Sequence, residues 1–134
     1  MPGRYEQAEL LVALWRLGDR QAPMPTSHGI LDRTLCELRS DLPETLADLS
    51  FSTTGVGLRC FELPDILLAA QEAMLTSEPN PTYQATLITL EPDEASEIAI
   101  NYGLDLALAQ ELGAKLVELS EEIRAKDAGQ FEDA

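Results

Sequence analysis

Glu91, Asp93, Glu94 and Glu97 place four carboxylates within seven positions, just around a proline that suits a helix start. Carboxylate oxygens gathered in this way are the hard donors that Ca²⁺ takes, which makes Ca²⁺ the first small ligand to consider. Asp41, Glu44 and Asp48 form a second such group. Neither group has the DxDxDG pattern of a calcium loop, and acids in a first helical turn also have a dipole reason to be there. General acid and base work by a carboxylate pair needs a cleft and a shifted pKa, and the sequence displays neither. The expectation is therefore no catalytic residue and no cofactor, with Ca²⁺ at Glu91, Asp93, Glu94 and Glu97 as the alternative.

Other chemistry-bearing residues are sparse. The run TTGVGLRC, Thr53 to Cys60, has Gly55 and Gly57 where a GxGxxG phosphate loop has its first two glycines. Cys60 stands in the third position, where close helix packing needs glycine, so the run reads as a turn or strand end. His28 is the only histidine, which excludes HExxH and paired-histidine zinc sites. Ser27, His28 and Asp32 have the residue types of a hydrolase triad but lie in one short local stretch, where Ser27 reads as a helix N-cap. Cys36 and Cys60 fall among apolar positions and read as small buried residues.

Charge bounds the partners. Twenty-four acidic residues against nine basic ones leave a formal charge of -15, which repels nucleic-acid phosphates and anionic membranes. With 45% hydrophobic residues the 134-residue chain still has the composition of one folded domain. Its few aromatics leave a core of Leu, Ile, Val and Ala that suits helix packing. Two cysteines, no export signal and no long apolar run give the expectation of a cytoplasmic protein without membrane contact.

The elements that must position these residues follow from periodicity. Arg4 to Leu17 repeats apolar residues at three and four, predicting a helix, and a loop runs from Gly18 to about Ser27. A second helix carries Ile30, Leu31, Leu35 and Leu38 inward, with Asp32, Arg33, Glu37 and Arg39 facing water. A short third helix follows Pro43. Phe51 to Thr54 has strand composition, while helix and strand compete up to Cys60. Pro64 opens a helix through Met74 or Leu75, Ser77 to Tyr83 is a loop, and Ala85 to Leu90 alternates like a strand. Pro92 opens another helix that stops at Asn101, Tyr102 and Gly103. From Leu104 onward, Leu108, Leu112, Leu116, Leu119 and Ile123 recur at four, four, three and four, and the acidic tail over 127–134 is expected to be frayed from Gly129 onward.

This order of elements, over roughly Tyr5 to Leu90, resembles a winged helix-turn-helix domain. The resemblance puts Leu63 to Leu75 in the recognition-helix position and Pro79 to Leu90 in the wing. The segment PDILLAAQEAMLTSE offers no Lys or Arg and carries Asp65, Glu72 and Glu78, which is unfavourable for phosphate contact. The expected fold is thus a single, mainly helical α+β domain, with a winged-helix-like core over 5–90 and C-terminal helices over 92–126. The expected function is an acidic protein-interaction module, a regulator, adaptor or dedicated chaperone, whose partner is another protein or a second copy. Its expected interface is the stripe Leu108, Leu112, Leu116, Leu119 and Ile123, and the competing reading places that stripe in the intramolecular core. A ligand binder, a DNA-binding regulator using Arg59 and a DNA mimic are the alternatives.

Overall fold

A computed structural model describes residues 3–18, 24–25, 29–47, 49–55, 57–77 and 85–132. The chain is a mainly helical α+β domain. In chain order its elements are α1 (Arg4–Gly18), β1 (Met24–Pro25), α2 (Ile30–Leu38), α3 (Glu44–Ala47), β2 (Phe51–Thr54), β3 (Gly57–Cys60), α4 (Leu63–Glu72), β4 (Thr76–Ser77), β5 (Ala85–Ile88), α5 (Pro92–Asn101) and α6 (Leu106–Glu132). Among the described residues no helix is long and apolar enough to cross a membrane.

The core is built around α1. Its sequence reads as one apolar face, yet Gln7, Ala8 and the whole run Leu10 to Trp15 are buried. Helices α3, α4, α5 and α6 all pack against it, so an element that is nearly apolar all round finds cover on every side. The seam with α6 is the closest. Gly18 and Gly113 face one another there, and a Cβ on Gly113 would collide with the Leu14 carbonyl oxygen. Helix α6 also covers α2, where two hydroxyls meet in the dark. Thr34 donates its proton to the Ile30 carbonyl at 2.9 Å, so Ser120 supplies the proton of the 2.9 Å Thr34–Ser120 bond.

Two small β units flank the helices. In the first, β5 lies between β1 and β4, antiparallel to both, with Met24 opposite Thr86 and Thr76 opposite Ile88. Strand β1 arises within the stretch read as a loop; two residues carry too little periodicity to announce a strand. In the second, β2 and β3 form a hairpin in which Phe51 faces Cys60 and Thr54 faces Gly57. That settles the competition between helix and strand up to Cys60, and it uses Gly55 in the turn of the TTGVGLRC run.

Several local expectations change. The residue capping α2 is Gly29, not Ser27; its φ of 67° is left-handed, a conformation that strains any side chain. Ser27 and His28 lie outside the described residues. Asp32 is buried rather than water-facing, because β3 packs on the side of α2 that the sequence pattern reads as exposed. Helix α6 continues through Gly129 to Glu132, replacing the tail expected from Gly129. One glycine costs a helix about 1 kcal/mol, and extending a helix that already exists needs no new nucleus.

Candidate functional site

Two buried carboxylates organise the region between α2 and α4. Asp32 on α2 accepts the Cys60 N–H at 2.7 Å, and Glu62, which caps α4, accepts the Ser50 N–H at 2.7 Å. Each answers a backbone donor at the base of the β2–β3 hairpin, and for the buried Cys60 N–H the carboxylate replaces water as the acceptor. The Phe61 N–H completes the base by donating to the Ser50 carbonyl at 2.9 Å. Cys60 sits between the two acids with its Sγ 3.8 Å from Glu62. Burial, with the neighbouring acids adding to it, pushes its thiol up to about 11, so it stays protonated at neutral pH and is a poor nucleophile. Cys36 is half-buried.

Burial raises the Glu62 carboxyl, but the Ser50 hydrogen bonds, its own N–H and the charge of Arg4 outweigh that and hold it below the usual glutamate range. A depressed carboxylate stabilises the fold above its unfolded value, about 4.3, and that contribution disappears as pH falls through the lower folded value. Glu62→Gln is expected to lower stability by about 1 kcal/mol at pH 7, the charge-assisted part of its hydrogen bonds. Urea titration of both proteins should show the gap closing below about pH 4.

On the opposite side of α1, Glu9 accepts from two phenols, Tyr5 at 3.1 Å and Tyr102 at 3.0 Å, tying α5 to α1. Burial first and the Glu9 hydrogen bond second push the Tyr102 phenol above its ordinary range. The hydrogen bond to Glu9 leads the same rise at Tyr5. Both hydroxyls serve as packing contacts.

The four acids at the start of α5 are all exposed. Glu91 and Glu94 form a reciprocal capping box, each side chain meeting the backbone N–H of the other, with Pro92 in the first turn. Asp93 and Glu97 continue that helix. Among the described residues no group of three or more His, Cys, Asp or Glu is placed to hold a metal ion. The leucine stripe of α6 divides. Leu112 and Leu116 are buried in the core, Leu119 and Ile123 are half-buried, and Leu108 is exposed. Leu112 and Leu116 are thus unavailable to a partner in the folded chain, which narrows the expected interface.

Exposed apolar side chains gather elsewhere. Six large hydrophobic residues are exposed among the described ones, and three of them lie on or beside α4: Phe61 at 78% two residues before it, Leu68 at 54% within it and Met74 at 82% two residues after it. Asp65, Leu68 and Glu72 recur at three and four and so share one face, with Phe61 one turn ahead of Asp65. Arg4 lies against this face, 3.8 Å from Asp65 in an exposed pair of little energetic weight. Sequence periodicity finds the buried side of α4 but does not rank its outer side chains; the signal was an aromatic beside the helix N-cap and a Leu between two acids. Comparisons with protein-family models, curated proteins and solved structures returned no match.

Proposed function

We propose that this chain is an acidic protein-interaction module, a regulator, adaptor or dedicated chaperone, that docks another protein on the exposed face of α4. The observation that carries the reading is the exposure of Leu68 on α4 together with Phe61 just before it and Met74 just after it, held on backbone that the hairpin base and the β4–β5 pair fasten at both ends. Single exposed hydrophobics are ordinary on a protein surface, whereas a grouped set rimmed by charge marks a contact site. Rigid presentation reduces the ordering cost of binding.

The test compares proteins retained from native lysate by the wild type, by Phe61→Asp and by Leu68→Asp. Both sites are exposed, so the variants should keep the wild-type fold by circular dichroism. The expected result is a protein retained in fixed ratio by the wild type and reduced about tenfold or more by either variant. Retention unchanged in both variants contradicts the reading.

A second reading draws on the sheet order β1–β5–β4, with β4 following α4 directly. It supports the winged-helix resemblance, in which α4 is the recognition helix of a DNA-binding regulator. The absence of Lys and Arg from Leu63 to Leu75 weighs against phosphate contact by that helix. A mobility shift on mixed DNA that is lost in Arg59→Gln would favour this second reading.

A further inference from the structure

We propose that the occupant of the α4 face is a basic amphipathic helix of a partner protein; this rests on the docking reading above and names the partner's chemistry. Over its ten residues α4 is roughly 15 Å long, enough to lie beside two or three turns of another helix. Leu68 offers an apolar contact within that length, Phe61 and Met74 extend it two residues before and two residues after, and Asp65 and Glu72 fall between them in the sequence. A segment with apolar residues at i, i+3 or i+4 and i+7, flanked by Lys or Arg, satisfies both sets together. A second copy of this chain fits badly, because facing α4 helices would set Asp65 and Glu72 against their own counterparts in molecules of charge -15.

Met74 supplies independent support. Helices α4 and α5 end in the same way, with the two backbone bonds of a Schellman cap. The Leu75 and Met74 N–H groups reach Ala70 and Gln71 at one, and the Leu104 and Gly103 N–H groups reach Ala99 and Ile100 at the other. At α5 the left-handed position is Gly103, with φ 82°; at α4 it is Met74, with φ 63° and the only positive φ outside glycine among the described residues. A side chain there is strained, and Thr89 holds the turn by donating its hydroxyl to the Met74 carbonyl at 2.6 Å and its N–H to Leu75 at 3.0 Å. The fold tolerates methionine where glycine is easier, and the gain is a flexible, polarizable side chain set in solvent at the C-terminal end of α4. Recognition of apolar helix side chains uses that property.

The probe is a short amphipathic Leu/Lys peptide, with a Leu/Glu peptide of the same apolar pattern as control, titrated by calorimetry at about 0.15 M salt. The wild type is expected to bind the Leu/Lys peptide and not the Leu/Glu peptide. Phe61→Asp and Leu68→Asp should weaken binding about tenfold or more, while the pair Glu118→Gln and Glu121→Gln on α6, which lowers net charge without touching α4, should change it less than about threefold. Met74→Gly is expected to raise the melting temperature and weaken the peptide several-fold, opposite signs that a merely structural residue does not give. The inference is overturned if the α4 variants bind like the wild type, if the α6 pair accounts for the affinity, or if Met74→Gly binds unchanged. Retention of a lysate protein that depends on Phe61, together with failure of the Leu/Lys peptide, would sink the basic-helix inference and leave the docking reading standing.

Discussion

Leu116→Asp is expected to leave the chain largely unfolded at 25 °C. Leu116 is 0% exposed, within the part of α6 that packs on α1 and α2. Truncating a buried leucine already costs about 2–5 kcal/mol, and the new carboxylate would be buried without a partner. A domain of this size has a total stability of about 5–15 kcal/mol, so the two effects together consume most of it. Leu108→Asp, two turns earlier on the same stripe but 53% exposed, should shift stability by no more than about 0.5 kcal/mol. Circular dichroism and urea titration of both variants check the pair. A folded, monomeric Leu116→Asp protein would return the whole stripe to the role of an intermolecular surface.

The second large effect is expected at Gly113. In an exposed helix interior Gly→Ala stabilises by about 1 kcal/mol, because glycine is a poor helix former. Here the added methyl group meets the Leu14 carbonyl oxygen and lies 2.8 Å from the Gly18 nitrogen, and these are backbone atoms that cannot rotate away. Helices α1 and α6 must separate along the most extensive element contact among the described residues, so Gly113→Ala should destabilise by about 1–3 kcal/mol and Gly113→Val by more. Gly55→Ala is the control: nothing lies within 4 Å of its added Cβ, and its φ is not left-handed. Thermal melts should separate the two alanine variants by several degrees, with Gly113→Ala the lower.

Much of the fold was legible from periodicity and punctuation. Pro64 and Pro92 lie in the first turns of α4 and α5, Gly103 closes α5, and the predicted helix from Arg4 differs from α1 by one residue at its end. What pattern could not show is which surfaces meet. Residues 10–15 carry apolar side chains all round a helix, and only the packing of four other helices explains why they are there. Asp32 has the spacing of an exposed residue and becomes buried because β3 brings the Cys60 N–H to it. Within the leucine stripe, the equal spacing of Leu108 and Leu112 conceals opposite environments, since the buried span of α6 begins at Ala109.

The candidate site was less legible for a related reason. The Glu91, Asp93, Glu94 and Glu97 group stood out by density, yet Glu91 and Glu94 are engaged in capping a helix. Phe61, Leu68 and Met74 have nothing in residue type that separates them from core-forming residues. Their significance lies in exposure and in one left-handed backbone angle, neither of which a residue type carries.

Site-specific photo-crosslinking in cells tests the central claim most directly. A photoreactive phenylalanine analogue would replace Phe61 or Leu68 in turn, with an equivalent substitution at Glu122 on the exposed side of α6 as control. The account predicts one protein adduct from positions 61 and 68, and none from position 122. Adducts from position 122 alone, or nucleic acid rather than protein captured at positions 61 and 68, would contradict it.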